Sequence, residues 1–242
     1  MKILIIRHGD PDYENDTLTE HGRLEAEYLA EMLCKKDIKI FYTSPYGRAY
    51  ETAAVTLEKM GREAEVLPWL REFDVLIDRP DRSDIKKISW DWLPQDWTAE
   101  PRFYDKDKWY KNERMAAGKV EDAYREVTEQ FDALIEKHGY RREGGYYRAE
   151  RPNHDTIAMF CHFGVESVIL SHIMGVSPMP LWHHTCAAPT SVTTLVTEER
   201  REGIAVFRML AFGETTHLYM HGEEPSFAAR FCECFGDDTR HD

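Results

Sequence analysis

The chain has 242 residues, of which 42% are hydrophobic and 31% are charged, as is ordinary for a globular protein. Its formal net charge of −13 at pH 7 argues against general nucleic-acid binding and against docking on an anionic membrane surface. The length predicts one large domain, or one domain with an insertion. No stretch approaches the ~18 apolar residues of a membrane span, and the start lacks the features of a signal peptide.

Segments that resemble strands and helices alternate over the first 75 residues, which favours an α/β sheet. Thr17-x-x-Glu20 resembles a capping box at a helix start. The apolar residues that follow it at helical spacing are Leu24, Tyr28, Met32 and Leu33. The predicted elements are a buried strand at 2–6, the capped helix, a strand at Ile38–Tyr42, a helix at Arg48–Met60 and a short strand at Glu65–Leu67.

Residues 76–150 lose this alternation until a helix predicted near Val120–His138. They hold four of the six tryptophans and six of the twelve tyrosines. We interpret the segment as an insertion between sheet strands, with its own helices. Its aromatic residues either dock the insertion on the core or form a lid over the site, and both can hold.

The alternation resumes with a buried strand at Ile157–Cys161 and a helix at Val165–Met174. Val192–Val196 and Ile204–Ala211 are strand candidates, joined by a turn at Glu199–Gly203. The polar tail at 236–242 is predicted to be disordered.

The five cysteines are an odd, scattered set, which fits a reducing cytoplasm better than a disulfide framework. We therefore expect a cytoplasmic protein. Cys232-x-Cys234 could be half of a metal site, with His183, His184 and Cys186 elsewhere in the chain. No second Cys-x-x-Cys or His-x-His pair completes a zinc pattern, so we expect packing cysteines and no metal.

The first predicted strand ends in Arg7-His8-Gly9, which places a nucleophile beside an anion-binding group. Open α/β sheets bind their ligands at the carboxyl ends of their strands, and glycine lets the backbone approach a ligand closely. The tripeptide alone is common by chance. Its position at a strand end makes Arg7 and His8 candidate site residues.

Two further segments fit an anion site. Arg48 falls in the first turn of a helix, where backbone amides attract anions and a guanidinium adds a bidentate donor. Taken alone, Arg48 would be a surface arginine. His162 follows the strand at 157–161, with Gly164 two residues later. A lone histidine of this kind is more often packed in a core, but two at equivalent strand ends favour a shared pocket.

A carboxylate near a histidine nucleophile can protonate a leaving group. Glu72 is the first candidate and Asp74 the alternative, both shortly after the third predicted strand. Carboxylates are plentiful in this acidic chain, so spacing alone does not choose between them.

Taken in order, these residues resemble the histidine phosphatase superfamily, the phosphoglycerate-mutase-like proteins. The segments that carry the resemblance are Arg7-His8-Gly9, Leu18-Thr19-Glu20-x-Gly22, Thr43-Ser44-Pro45-x-x-Arg48-Ala49-x-x-Thr52-Ala53, Leu70-x-Glu72 and His162-x-Gly164. They cover about residues 1–75 and 155–212. The segment at 76–150 matches no known pattern.

The resemblance implies a single domain over residues 1–242, built as a three-layer α/β/α sandwich with a mostly parallel sheet. It also implies that His8 attacks phosphorus and becomes a phosphohistidine. Arg7, Arg48 and His162 would form the phosphate pocket, with His162 as an imidazolium. Glu72 would protonate the leaving oxygen and then activate water. No cofactor is implied, and the expected partner is a small phosphorylated substrate; the oligomeric state stays open.

Two positions depart from the family pattern. Glu14 stands six residues after His8, where the family often has a small polar residue or asparagine. It lies among Asp10, Asp12 and Asp16, and four carboxylates near the pocket would repel a polyanionic substrate. Phe163 replaces the usual glycine after the second histidine, and it either narrows the pocket or points away.

These observations predict a metal-independent phosphatase that acts on a phosphomonoester. The alternatives are a phosphoglycerate-type mutase, which the carboxylates disfavour, and a non-catalytic phosphate-binding or protein-interaction module on the same fold. Such a module has no need of the proton donor Glu72.

Overall fold

The computed structural model describes residues 1–226 and 232–236, so most of the predicted disordered tail, residues 237–242, lies outside the described residues. The strands are β1 (Lys2–Arg7), β2 (Pro11–Asp12), β3 (Thr17–Leu18), β4 (Ile40–Thr43), β5 (Ala64–Val66), β6 (Leu76–Arg79), β7 (Arg82–Ile88), β8 (Tyr140–Glu143), β9 (Tyr146–Ala149), β10 (Thr156–Cys161), β11 (Val192–Arg201) and β12 (Ile204–Glu214). The helices are α1 (Glu20–Leu33), α2 (Gly47–Met60), α3 (Pro94–Thr98), α4 (Glu113–Ala117), α5 (Val120–Lys137), α6 (Phe163–Met174), α7 (Pro178–His184) and α8 (Thr216–Tyr219).

Within the described residues, eight strands form one sheet in the order β5-β4-β10-β1-β11-β12-β9-β8. The pairs β5–β4, β4–β10 and β10–β1 are parallel, and the pairs from β1 through to β8 are antiparallel. The carboxyl ends of the four parallel strands therefore meet at one edge of the molecule. The α/β class predicted from the sequence is confirmed.

Alternation along β1 divides the core between the two faces of the sheet. Leu4 and Ile6 join a cluster with side chains of α1 and α2, among them Leu29 and Leu57. The intervening Ile3 and Ile5 join a second cluster on the opposite face, which includes α5 and α6. Helices thus cover both faces of the parallel half, giving the three layers that the resemblance implies.

The predicted elements outside 76–150 are confirmed with shifts of their bounds, the largest at β11, which continues to Arg201 and so includes part of the predicted turn at Glu199–Gly203. The start of α1 also differs. Thr19, not Thr17, is the N-cap, and its hydroxyl accepts from the amide of Gly22 at 3.0 Å. Leu24 is exposed, while Leu29 and Leu33 are buried. The residues of α1 that are buried are thus those on the helix face that packs on the sheet.

The segment at 76–150 forms the hairpin β6–β7, short helices and the long helix α5. Its last part is the hairpin β8–β9, which extends the central sheet because β9 pairs with β12. The aromatic side chains buried in the main core include Trp92, Trp97, Phe103 and Trp109. These residues therefore pack the segment at 76–150 against the core, as one of the two interpretations expected. That the segment also forms a lid over the site stays a prediction.

None of the helices in the described ranges combines the length and the apolar character that crossing a membrane requires.

Trp97 offers a test of this docking. It is 1% exposed and stacks on His183 of α7 with ring centroids 4.9 Å apart. We expect Trp97→Ala to lower the free energy of unfolding by about 3–5 kcal/mol, the usual loss for a buried large aromatic side chain. Urea unfolding measures the loss. The control is Tyr50→Ala, since Tyr50 is also a large aromatic residue but lies on α2 and is 51% exposed. Equal losses for the two variants would contradict the docking role of Trp97.

Candidate active site

The in-register parallel pairing of β1 and β10 brings the two histidines together. Arg7 lies opposite Cys161 in this ladder, so the next residues, His8 and His162, leave adjacent strand ends side by side. The amide of His8 donates to the carbonyl of Cys161 at 3.0 Å. The two imidazole rings lie 5.1 Å apart between centroids. The shared pocket predicted from the sequence therefore has a simple topological cause.

His8 is 1% exposed and has one ring nitrogen fixed by the backbone. Its Nδ1 lies 2.7 Å from the carbonyl oxygen of Gly9, which has only lone pairs to offer. Nδ1 therefore carries the proton and donates it, and the lone pair is on Nε2. Burial, followed by the charges of Arg7 and Arg48, holds the pKa of His8 well below its ordinary value. The imidazole is thus neutral and nucleophilic.

His162 is fully buried, and Ser44 contacts one of its ring nitrogens. The Ser44 hydroxyl oxygen accepts from the amide of Tyr46 at 3.2 Å and lies 2.8 Å from Nε2 of His162. The donor of this second hydrogen bond is the hydroxyl or the ring, according to the tautomer of His162. Nδ1 has no hydrogen-bond partner among the described residues. In the tautomer with its proton on Nδ1, His162 offers a buried donor to an anion.

The predicted imidazolium at His162 requires a correction. Burial, followed by the neighbouring His8, Arg48 and Arg7, holds the pKa of His162 well below its ordinary value. The ring is therefore neutral in the ligand-free site and contributes a hydrogen bond, not a positive charge.

The two arginines predicted to bind substrate flank these rings. Arg7 is 2% exposed, and its Nη1 donates to the carbonyl of Ala187 at 2.6 Å. Arg48 is 8% exposed, and its guanidinium lies under the rings of Tyr13 and Tyr46, at 5.3 and 4.9 Å from their centroids. Both charges lower the pKa values of the buried His8 and His162. The structure thus concentrates positive charge where the chain as a whole is acidic.

Glu72 joins the cluster from the loop after β5. Its Oε1 accepts from the amides of Phe73 at 2.7 Å and of Val165, in the first turn of α6, at 3.1 Å. A Cβ at Gly164 would lie 2.5 Å from Oε1, so only glycine leaves room for this carboxyl group. Burial raises the pKa of Glu72, against the opposing effects of these amides and of the arginines. A carboxyl group with a raised pKa can donate a proton.

Asp74, the alternative acid, is more exposed than Glu72. Its Oδ2 accepts from the hydroxyl of Tyr46 at 2.8 Å, and the Tyr46 ring in turn lies 5.3 Å from that of His162. Asp74 therefore contacts the mouth of the site through Tyr46, whereas Glu72 contacts the helix that follows His162.

Several residues at the site had no role assigned from the sequence, although Asp16 was named there among the carboxylates near the pocket. Ser44 orients His162, and Tyr13 and Tyr46 cover Arg48. Asp16 binds Arg48 with 2.6 Å between Oδ1 and Nη1. For Ser44 and Tyr46 the signal was their place in the segment that contains Arg48. Nothing in the sequence pairs residues 13 or 16 with Arg48.

Glu166 is a further buried acid that was not predicted. It is 1% exposed in the first turn of α6 and is hydrogen-bonded to Thr193. Burial, with the charge of Glu72, raises the pKa of Glu166 to about 7, against the charge of Arg7. A single carboxylate in the apolar helix Phe163–Met174 was the signal that could have found it.

The two departures from the family pattern have different outcomes. Phe163 is 1% exposed and packs edge-on against Trp90, with centroids 5.9 Å apart, in the core on the α5–α6 face. It therefore points away from the pocket. Glu14 is exposed, and its amide donates to the carboxylate of Asp12 at 3.0 Å.

Across residues 1–226 and 232–236, no group of three or more His, Cys, Asp and Glu side chains is placed to hold a metal ion. Cys232 is exposed and Cys234 is half-buried.

The sequence of this chain matches a known protein family. The family model of the histidine phosphatase superfamily (branch 1) matches residues 3–209. A 2,3-bisphosphoglycerate-dependent phosphoglycerate mutase of Thermoplasma acidophilum is 38% identical over 74 residues, which cover 26% of this chain and 37% of the mutase. The chain spans about two fifths of the length of the curated relatives it matches.

Two solved structures share the fold. A variant of Entamoeba histolytica phosphoserine phosphatase with bound phosphoserine superposes with a TM-score of 0.61 at 18% identity, covering 90% of this chain and 98% of that chain. A mycobacterial glucosyl-3-phosphoglycerate phosphatase gives a TM-score of 0.52 at 20% identity, covering 87% and 98%. At such identities the likeness concerns the fold alone. Because the family model matches most of its length, this chain belongs to the histidine phosphatase superfamily, branch 1.

Proposed function

We propose that the protein is a metal-independent phosphatase that hydrolyses a phosphomonoester through a phosphohistidine at His8. The observation that carries the proposal is the state of His8: a neutral imidazole whose Nδ1 is fixed on Gly9, beside Arg7 and Arg48. A histidine held in this way has its nucleophilic lone pair and its anion-binding groups in one place. Splitting the hydrolysis into two displacements is nucleophilic catalysis.

In the first step, Nε2 of His8 attacks phosphorus and the bond from phosphorus to the ester oxygen breaks. Glu72 gives its proton to that oxygen, which leaves as an alcohol. In the second step, water attacks phosphorus while the Glu72 carboxylate takes its proton. The phosphorus–nitrogen bond then breaks, phosphate leaves, and His8 recovers its lone pair.

The remaining residues stabilise the phosphoryl group during both displacements. Phosphoryl transfer depends mainly on positioning and on neutralising the equatorial oxygens. The guanidiniums of Arg7 and Arg48 supply the charge without a metal. With its proton on Nδ1, His162 supplies a directed hydrogen bond, since Ser44 holds the opposite nitrogen.

The proposed substrate is a small phosphomonoester. The similar structures include one with phosphoserine and one named for glucosyl-3-phosphoglycerate, and such compounds define a first panel to assay. The loop at 10–16 lies over the pocket, since Tyr13 contacts the ring of His8 and Asp16 binds Arg48. Its carboxylates disfavour polyanions, which favours a phosphatase over a phosphoglycerate-type mutase.

The segment at 76–150 is proposed to shape the leaving-group side of the site. Trp90 supports this role, because its Nε1 donates to the carbonyl of Phe73, directly after Glu72, at 2.8 Å. A Cβ at Gly164 would lie 2.7 Å from the same nitrogen. Trp90 therefore borders the proposed acid, whereas Trp92 and Trp97 belong to the core.

The nucleophile is tested by substitution. We expect His8→Ala to abolish turnover of para-nitrophenyl phosphate in the presence of EDTA, and wild-type protein to form a phosphoenzyme that is labile in acid and stable in alkali. His154→Ala is the matched control, because His154 is exposed and lies outside the site. An acid-stable adduct, full activity of His8→Ala, or loss of wild-type activity in EDTA would contradict the proposal. Absence of turnover in the wild-type protein would favour a non-catalytic binding module.

The acid is tested through the leaving group. Proton donation typically contributes about 10²–10⁴-fold, and it matters most for poor leaving groups. Glu72→Gln is therefore expected to slow phosphoenzyme formation by roughly that factor with an alkyl phosphate, and far less with para-nitrophenyl phosphate. Single-turnover measurements with both substrates decide. Asp74→Asn is the parallel variant, and a larger substrate-dependent loss there would transfer the role to Asp74.

The same assignment predicts the pH dependence of kcat/KM. His8 must be deprotonated, and its lowered pKa places the acid limb below the ~6.5 typical of histidine. Glu72 must be protonated, and its raised pKa places the alkaline limb above the ~4.3 typical of glutamate. Activity on an alkyl phosphate is therefore lost as pH rises through the pKa of Glu72. After correction for the phosphate pKa of each substrate, this limb should be absent with para-nitrophenyl phosphate and in Glu72→Gln. If the alkaline limb persists in Glu72→Gln, a titrating group other than Glu72 is responsible for it.

A further inference from the structure

Asp16 holds both the guanidinium of Arg48 and the start of α2. Its Oδ1 lies 2.6 Å from Nη1 of Arg48, and its Oδ2 accepts from the amide of Gly47 at 2.7 Å. These two donors are the kind that a helix start and an arginine offer to a phosphate. A carboxylate of the protein itself therefore bridges them in the ligand-free site.

The backbone at residue 16 is fitted to this contact. A Cβ at Gly47 would lie 2.1 Å from the carbonyl oxygen of Asp16, so the loop packs directly on the first residue of α2. Asp16 also has φ of +50°, in the left-handed region that asparagine and aspartate adopt more readily than most residues. Glycine at 47 and a tolerant residue at 16 are both needed for this approach.

The rest of the loop is tied down at both ends. The amide of Asp10 donates to the buried carboxylate of Glu25 at 2.9 Å. The hydroxyl of Thr17 donates to Glu51 of α2 at 2.6 Å, and the amide of Leu18 donates to the same carboxylate at 3.3 Å. Hydrogen bonds on both sides of Asp16 therefore hold its loop in place, so that Asp16 can hold the guanidinium of Arg48 in a defined position.

Arg48 is held from several sides but keeps a donor for an anion. Its guanidinium contacts the rings of Tyr13 and Tyr46, and its Nη1 is taken by Asp16. Its Nε is buried and has no hydrogen-bond partner in the described part of the chain. The arrangement leaves Nε for a phosphoryl oxygen.

We propose that Asp16 is a positioning residue for the phosphatase reaction: it tethers Nη1 of Arg48 so that Nε meets the phosphoryl group, and its charge limits the affinity of the pocket for phosphate. The inference rests on the proposed function. This role explains why the carboxylate of Asp16 lies beside a site for phosphate, although the two negative charges repel each other. Weaker binding of phosphate also favours release of the product.

Two substitutions separate the tether from the charge. Asp16→Gly removes both and suits the left-handed backbone. Asp16→Asn removes the charge, suits the same backbone and keeps one oxygen that accepts from Arg48, while its NH2 group replaces the Oδ2 that accepts from the amide of Gly47. Asp12→Asn is the matched control, because it makes the same change on the same loop, where Asp12 binds the amides of Glu14 and Asn15 and not Arg48.

The measurements are kcat and KM for para-nitrophenyl phosphate, the Kd of inorganic phosphate by calorimetry, and the melting temperature of each variant. We expect kcat to fall by roughly tenfold to a hundredfold in Asp16→Gly, the scale of a misplaced binding group, and by less than about fivefold in Asp16→Asn. Phosphate should bind Asp16→Asn about threefold to tenfold more tightly than wild type, since a nearby like charge is removed. Asp12→Asn should match wild type in kcat, and it should tighten phosphate binding less than Asp16→Asn does.

Three results would overturn the inference. If Asp16→Gly turns over faster than wild type with a lower KM, Asp16 is a displaceable occupant of the phosphate site and not a tether. If both variants at Asp16 keep the kcat and the phosphate Kd of wild type, the contact has no role in the reaction. If Asp12→Asn tightens phosphate binding as much as Asp16→Asn, the general charge of the loop is responsible.

The calorimetric measurement keeps this test separate from the proposed function. A wild-type protein that binds phosphate without turnover would overturn the phosphatase proposal, while the shift in Kd would still report on the charge of Asp16. An active enzyme whose variants are unchanged would overturn only the role of Asp16.

Discussion

The in-register parallel pairing of β1 with β10 is the constraint on which the site depends. It places His8 and His162 at neighbouring strand ends, with their rings 5.1 Å apart. The next parallel neighbour, β4, brings Ser44 to His162 and starts the helix that carries Arg48. A shift of register by one residue would turn one histidine to the opposite face of the sheet, since strand side chains alternate. The buried hydrophobic residues on both faces of β1 and β10 hold the register.

Burial then sets the chemistry of the groups collected there. Two imidazoles, two guanidiniums and a carboxyl group share a poorly solvated space, in which a charge is costly unless it is paired. The histidines respond by staying neutral, because neighbouring arginines add to the cost of protonation. Burial has the opposite effect on Glu72, whose pKa it raises. One environment thus favours a nucleophile and an acid at the same time, which a solvated cluster of the same residues would not do.

The segment at 76–150 combines a structural part with a contact to the site. Much of it is structural, because its aromatic residues extend the core and its last hairpin, β8–β9, extends the sheet. It reaches the site through Trp90, beside Glu72 and Gly164. The loop at 10–16 contributes Tyr13 and Asp16 to the site. We therefore expect substrate choice to depend on the segment at 76–150 and on the loop at 10–16. The phosphoryl group is expected to contact the motif residues.

The sequence by itself determined the order of the elements and the motif residues, His8, Arg48, Glu72 and His162 among them, because periodicity and strand-end motifs are local signals. Tertiary structure decided the contacts between distant segments, such as Asp16 with Arg48, which no local pattern encodes. It also decided protonation, since the pKa of a histidine depends on everything packed around it and not on its neighbours in the chain. Tertiary structure also decided which residues of α1 are buried, and it decided that β9 pairs with β12. Both depend on how the sheet is assembled and not on local sequence. Local sequence chose the chemical groups, and long-range packing determined their partners and charges.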